Sequence, residues 1–273
     1  MNFKAIFSIF IVFTFFSCSE SNPKISSSKD YEIAEQKKET TEENRQIDSN
    51  QIKNTDDTEK INLSLEKEEH SETKKYDGLN GLVDIQTIEP TILIDLKYAS
   101  EDNFTKKRLY FDIDKVYLQK DVAERLSKVQ QYLKELRPDL TLLVYDGVRP
   151  LSVQKAMWKS LDTVPIKERV KFVSNPANGS IHNYGAAVDL TIAKNNGTAL
   201  DMGSKYDDIR QISYPKLESY FLKKGELTSE QIENRKLLRK VMKSQRFTNL
   251  QTEWWHFNAC SRAQAKMKYK ILQ

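Results

Sequence analysis

The chain has 273 residues, with 43 Lys and Arg against 39 Asp and Glu, a formal net charge of +4 and 2 cysteines. So slight a positive excess, with no Lys/Arg cluster alternating with aromatics, excludes the electrostatic footprint of a nucleic-acid-binding module. Two cysteines exclude a disulfide scaffold, so the folded part must be held by packing.

Residues 1–18 read as a targeting segment. Lys4 supplies a positive start, and residues 5–16 form an apolar run too short for the roughly 20 residues that a membrane-spanning helix needs. Ser17 then precedes Cys18, an arrangement that resembles a bacterial lipoprotein signal, in which the cysteine is lipidated and becomes the mature N-terminus. Phe15 and Phe16 depart from the usual pattern before the small residue, and ordinary secretion is the alternative. Ser19-Glu20 is similar to the acidic export tag of some surface lipoproteins, so the expected location is the cell envelope, periplasmic or surface, with Cys18 as the anchor. Residues 19–75 are rich in Ser, Thr, Asn, Glu, Lys and Gln, and bury too little apolar surface to offset chain entropy. They read as a disordered charged tether, which as a flexible coil would reach on the order of 40 Å.

Residues 76–273 fit a single domain with a real core. Residues 82–85 and 91–96 read as strands around Pro90. From 118 to 136 the apolar residues Val122, Leu126, Val129, Leu133 and Leu136 recur at helical spacing, and Arg137-Pro138-Asp139 closes that helix. Residues 140–145 form a short buried strand, and Pro150 suits the first turn of the following helix. A strand is expected over 185–192, helices over 210–225 and 230–244, the latter capped by Thr228 or Ser229, and a strand or turn over 253–257. Strands interleaved with helices give an α+β expectation: a central, mainly antiparallel sheet flanked by helices, with the functional site in its cleft.

Ligand arithmetic identifies that site. The chain has three histidines, and His70 lies in the charged tract. His182 is followed seven residues on by Asp189, and His256 is preceded three residues earlier by Glu253. A catalytic zinc takes three protein ligands and leaves one position for water, whose pKa it lowers to about 7. His182, Asp189 and His256 would supply two nitrogens and one oxygen, so one zinc per chain is expected. Glu253 is then the spare carboxylate, placed to act as general base. Residues seven apart on an unbroken strand point to opposite faces, so His182 and Asp189 converge only if the chain bends between them. Gly185 permits that bend.

Ser-x-His-x-x-Gly-x-Ala-x-Asp, matched at Ser180, His182, Gly185, Ala187 and Asp189, and Glu-x-x-His, matched at Glu253 and His256, together resemble the zinc D-Ala-D-Ala peptidases. Lys97-Tyr98-Ala99-Ser100-Glu101-Asp102-Asn103-Phe104 and Tyr145-Asp146-Gly147-Val148-Arg149-Pro150 bring the resemblance nearest to the D-alanyl-D-alanine dipeptidases, over residues from about 82 to 257. The resemblance implies that Arg149 stabilises the tetrahedral oxyanion, a role that a fixed cation beside zinc can fill. It also implies that Ser180 and Tyr98 contact substrate and that Asp207 binds the free amino group. Asp208 is adjacent, and the sequence leaves open which of the two points inward. Trp254 and Trp255 read as core and pocket wall, one of them packed under the ligands.

The expectation is therefore hydrolysis of the small dipeptide D-Ala-D-Ala to two D-alanines in the cell envelope, with no nucleic acid and no membrane contact except a lipid on Cys18. The rivals are a D,D-carboxypeptidase or endopeptidase acting on peptidoglycan stem peptides with the same metal chemistry, and a non-catalytic wall-binding lipoprotein.

Overall fold

The structure, a computed structural model, describes residues 76–273. The expected targeting segment, Cys18 and the tether lie outside the described residues.

The chain enters through strand β1 (Leu82–Asp84), and Asp84 caps the short helix α1 (Ile85–Ile88) by accepting from the Gln86 amide at 3.0 Å. Strand β2 (Leu93–Ile94) follows, shorter than the 91–96 expected, because Pro90 and Thr91 belong to the turn that precedes it. β3 (Tyr117–Gln119) pairs antiparallel with β1 and takes up Leu118, so helix α2 begins later than the apolar periodicity and spans Lys120–Leu136. Its Val122, Leu126, Val129 and Leu133 are fully buried against the central sheet. That spacing of three and four is what places them on one face.

β4 (Leu140–Asp146) is buried along its whole length. Helices α3 (Leu151–Ser160) and α4 (Ile166–Arg169) follow, with Pro150 just ahead of α3 rather than inside it. β5 (Ala187–Lys194) lies antiparallel to β4. The helix expected over 210–225 is broken: two 3-10 turns, Gln211–Ser213 and Pro215–Leu217, precede helix α5 (Glu218–Lys223). Pro215, which lacks an N–H and restricts the residue before it, prevents one continuous helix. Helix α6 (Ser229–Ser244) opens on a capping box between Thr228 and Gln231, and strands β6 (Thr248–Asn249) and β7 (His256–Asn258) and helix α7 (Arg262–Lys268) complete the domain.

The main sheet has the order β2-β4-β5-β7-β6, with β2 parallel to β4 and every other pairing antiparallel. The mainly antiparallel α+β expectation therefore holds. The pairing of β4 with β5 is regular from Leu140↔Lys194 to Val144↔Leu190, then shifts so that Asp146 faces Asp189. On its other edge Asp189 faces His256 of β7. Directly opposite residues on antiparallel strands project to the same side. The bulge at Tyr145 thus aligns Asp146, Asp189 and His256 in one row, a common use of bulges beside functional sites.

A second apolar cluster, including Tyr98, Tyr110, Tyr117, Val148, Met157 and Leu272, lies beside this row. The chain's last residues are stitched into it. The Leu272 amide donates to the Asn183 carbonyl at 2.8 Å, and the Leu272 carbonyl accepts from the Leu151 amide at 2.9 Å.

Candidate active site

His182 reaches the row from outside the sheet. It sits on a 3-10 turn, Ile181–Tyr184, opened by a reciprocal cap in which the Ser180 hydroxyl accepts from the His182 amide at 3.4 Å and the Asn183 side chain accepts from the Ser180 amide at 2.6 Å. Gly185 ends the turn with φ +65, the left-handed region that only glycine enters freely. A Cβ there would lie 2.6 Å from Leu82 Cδ2, so the position is closed to side chains for steric as well as conformational reasons. The reversal at Gly185 carries the chain from His182 into β5 and brings Asp189 back to face it.

Three donor atoms converge. His182 Nε2 is 3.3 Å from Asp189 Oδ1, His256 Nδ1 is 2.9 Å from the same oxygen, and the two nitrogens are 3.1 Å apart. Each is presented by a hydrogen bond on its far side. His182 Nδ1 donates to the Gly147 carbonyl at 2.7 Å, which leaves Nε2 with its lone pair. His256 Nε2 donates to Asn258 Oδ1 at 2.9 Å, which leaves Nδ1 free. Asp189 Oδ2 accepts from the Tyr206 hydroxyl at 3.0 Å, which leaves Oδ1. Metal-binding histidines are held in this way, with the second nitrogen on a carbonyl or another acceptor. Zinc–ligand distances of about 2.0–2.1 Å at a tetrahedral angle set neighbouring donors roughly 3.3 Å apart, close to the three separations here. The residues present fit a zinc ion, with the donor set of a hydrolytic rather than a structural centre. Among the described residues this is the one group of His, Cys, Asp and Glu that meets within ligand distance.

Asp189 is buried, and burial opposes its ionisation, yet the charges and hydrogen bonds of His182 and His256 hold it well below the usual carboxylate range. Glu253 stands at the edge of the triad, its Oε2 3.9 Å from His256 Nδ1. Burial raises its carboxyl to about 7, with the neighbouring Asp189 and Asp207 charges adding to the effect and His256 opposing it.

Arg149 emerges between β4 and α3 and turns back over the row. Its Nε and one terminal nitrogen donate to Asp146 Oδ2 at 2.9 and 2.5 Å, the other donates to Gln154 Oε1 at 3.2 Å, and Asp189 Oδ2 lies 3.6 Å away. Its guanidinium also rests on the Tyr98 ring, 5.1 Å from the centroid. Tyr98 is buried and donates its hydroxyl to Asp207 Oδ2 at 2.9 Å. Asp207 has φ +59, an uncommon conformation for a residue with a side chain, and it points its carboxylate into the cleft. Burial, reinforced by the Asp189 charge, raises that carboxyl to about 7. Asp208 also borders the cleft, but its carboxylate is taken up by Arg210 in an ion pair at 2.5 Å, which leaves Asp207, held by Tyr98, as the acid turned to the site.

Tyr98, Arg149, Ser180, His182, Asp189, Asp207, Glu253 and His256 thus line one cleft, with Trp255 as a wall and Phe172 and Ile209 near its mouth. Trp255 stacks edge-on against Tyr206, at 5.4 Å between ring centres. Sequence reasoning assigned no role to Asp146, Tyr206, Asn258 or the Gly147 carbonyl. Asp146 and Gly147 lie within the Tyr145–Pro150 motif and Tyr206 is adjacent to Asp207, but their contacts cross between strands and loops.

A closed triad of two imidazoles and a carboxylate, a neighbouring acid and a fixed guanidinium in a cleft define a zinc metallopeptidase centre. Residues 79–272 match the family model described as D-Ala-D-Ala dipeptidase. The chain is 32% identical over 176 residues, 64% of its length and 83% of the relative's, to the D-alanyl-D-alanine dipeptidase of Escherichia coli (strain K12). It is 29% identical over 192 residues, 65% of this chain and 91% of the relative, to the enzyme of the same name from Enterococcus faecalis. The chain belongs to the D-Ala-D-Ala dipeptidase family.

Proposed function

We propose that this protein hydrolyses D-Ala-D-Ala to two D-alanines in the cell envelope. The observation that carries the reading is the convergence of His182, Asp189 and His256, with their ligand atoms within 4.8 Å of one another, beside two inward-facing acids of distinct placement. When bound, zinc supplies a Lewis acid that lowers the pKa of water to about 7 and polarises a carbonyl.

The chain's own groups divide the remaining work. Glu253 accepts the proton of the attacking water and delivers it to the leaving amine as the C–N bond breaks. A carboxyl that titrates near neutrality is suited to both transfers. Arg149, already desolvated and held by Asp146, faces the negative charge that develops on the former carbonyl oxygen and needs no rearrangement to do so. Asp207, oriented by Tyr98, takes the substrate's ammonium group. Ser180 keeps its hydroxyl proton, since its oxygen only accepts within the turn, and that proton is available to the substrate's carbonyl or carboxylate.

The dipeptide reading is preferred to the carboxypeptidase or endopeptidase one because an anionic group fixed at the amino end rewards a free ammonium and has no use in binding a longer chain. A wall-binding protein without turnover has no need of Glu253. Envelope location rests on the Cys18 segment, and residues 19–75 are proposed as its tether. Replacing Cys18 with Ser should move the protein to the soluble fraction.

The decisive experiment measures zinc content and D-alanine release for wild type and Glu253→Ala. Retained zinc with turnover reduced by about 10²–10⁴ is expected for loss of the base. Near-full turnover by the variant would remove Glu253 from the mechanism, and faster release of D-alanine from a pentapeptide than from the dipeptide would establish the carboxypeptidase reading.

A further inference from the structure

Tyr206 and Asp207 sit at the crown of a loop between β5 and α5, and neither is anchored by regular secondary structure. Tyr206 holds a metal-ligand carboxylate that β5 also fixes, whereas Asp207 is borne by the loop itself, so the loop's position matters most to the ammonium end of the cleft. The loop is fixed from behind by α6. Arg235 is fully buried, and its guanidinium donates through Nε to the Met202 carbonyl at 2.6 Å and through one terminal nitrogen to the Ile212 carbonyl at 3.0 Å. The other terminal nitrogen donates to Ser204 Oγ at 3.3 Å. Its charge is matched by Glu218, 3.7 Å away, which Arg239 in turn grips at 2.7 Å through both oxygens.

Within the loop the Ser204 and Ser213 hydroxyls meet at 2.9 Å, and the other contacts from outside hold its first foot. Asn234 and Gln231 bind only Asp201, and Trp254 reaches only Ser204. Among these α6 and β7-side contacts, Arg235 alone grips both feet, Met202 before the crown and Ile212 after it. A guanidinium is a rigid planar fork, so it fixes the spacing between those carbonyls in a way a single ammonium cannot.

We infer that Arg235 is a positioning residue for substrate recognition: by clamping both feet of the loop it sets where the Asp207 carboxylate stands, and so determines selectivity for a free ammonium group. The inference rests on the reading of Asp207 as the ammonium site. Displacing a recognition group by an ångström is enough to cost binding of the group it meets.

The test uses the full-length zinc-loaded protein with Arg235→Lys, which keeps the buried charge and loses the fork. KM for D-Ala-D-Ala is expected to rise about tenfold with kcat within about twofold, the pattern of lost binding common to ground and transition states. The inhibition constant of propionyl-D-alanine, which lacks the amino group, should be unchanged. Hydrogen exchange should quicken over residues 204–209 while α6 stays protected. Should Arg235→Lys fail to fold, Ser204→Ala removes one of the three contacts together with the Ser204 links to Ser213 and Trp254, and Ser213→Ala, which cuts the Ser213 link but spares Arg235, is its control: the pattern should appear in Ser204→Ala and be weaker in Ser213→Ala, and equal effects would overturn the inference. Equal losses for dipeptide and amine-free analogue, or unaltered exchange in the loop, would overturn the inference and leave Arg235 a general stability residue. Absence of dipeptide turnover in the wild type would refute the function instead, and loop exchange would still decide the clamp.

Discussion

Asp146 and Asp189 stand opposite one another on neighbouring antiparallel strands, and the Arg149 guanidinium lies between them, 2.5 Å from one carboxylate and 3.6 Å from the other. Two like charges placed directly across a strand pair repel. Here the arrangement is stable because one side is committed to the cation and the other to the histidines. Asp146, which also accepts from the Tyr110 hydroxyl at 2.6 Å, therefore acts as the fixed seat of Arg149 and has no direct line to the substrate.

Asp146→Ala is expected to lower unfolding free energy by about 3–5 kcal/mol, the cost of leaving a buried charge without its partner. It should also reduce kcat by on the order of 10², because the guanidinium loses its orientation. Urea denaturation and steady-state kinetics on zinc-saturated protein would check both. Wild-type values would show that Gln154 and Asp189 suffice to hold Arg149.

Asn258 offers a cleaner separation of metal binding from chemistry. Its side chain touches no substrate position and serves only to accept from His256 Nε2. Asn258→Ala should weaken zinc binding by about 10–100-fold, measured by competition with a chromogenic chelator, while kcat at saturating zinc changes little. Unaltered affinity would mean that the strand backbone alone orients the imidazole.

Asp207 makes the metal-free protein's stability depend on pH. Its carboxyl titrates at about 7 in the fold against its ordinary 3.8, because it is buried near the Asp189 charge. The folded state thus binds the extra proton between those two values. This contribution is fully present below 3.8 and lost as the pH rises through 7. Asp207→Asn should accordingly stabilise the zinc-free protein at pH ~8, by at most about 4 kcal/mol, with the gain shrinking as the pH is lowered towards ~4. Denaturation curves at a series of pH values would check the sign. A variant less stable than wild type at high pH would show that the Tyr98 hydrogen bond outweighs the desolvation of the charge.

Gly185→Ala should cost at least about 1–2 kcal/mol from its left-handed backbone alone, and more from the approach of Leu82. Leu82→Ala should then be less damaging in the Gly185→Ala background than in the wild type, a coupling readable from a double-mutant cycle. Strict additivity would mean that the turn shifts as a body.

Much of the site was legible because its chemistry is carried by rare residue types in short patterns. His182, Asp189 and His256 announce themselves by kind and spacing, and Gly185 by the bend that convergence requires. What stayed hidden is chemistry supplied by common residues across tertiary space. Asp146 reads as one acid among many until the bulge at Tyr145 sets it opposite Asp189. Asp207 and Asp208 are equivalent on paper, and only the left-handed conformation of Asp207 and the Arg210 pair on Asp208 separate them. In the fold, strongly periodic segments such as α2 and α6 were readable to within a few residues. The 210–225 stretch was not, because its apolar residues keep helical spacing on both sides of Pro215 while the backbone between them cannot.

The backbone of Leu272 carries a consequence for how damage to the enzyme would read out. It joins the turn that bears His182 to the start of α3, just past Arg149, so one short bridge keeps the ligand turn and the oxyanion arginine in register. Loosening that bridge would slacken a metal ligand and the cation together. Metal affinity and turnover are thereby made to fail in step, although no atom of Leu272 belongs to either.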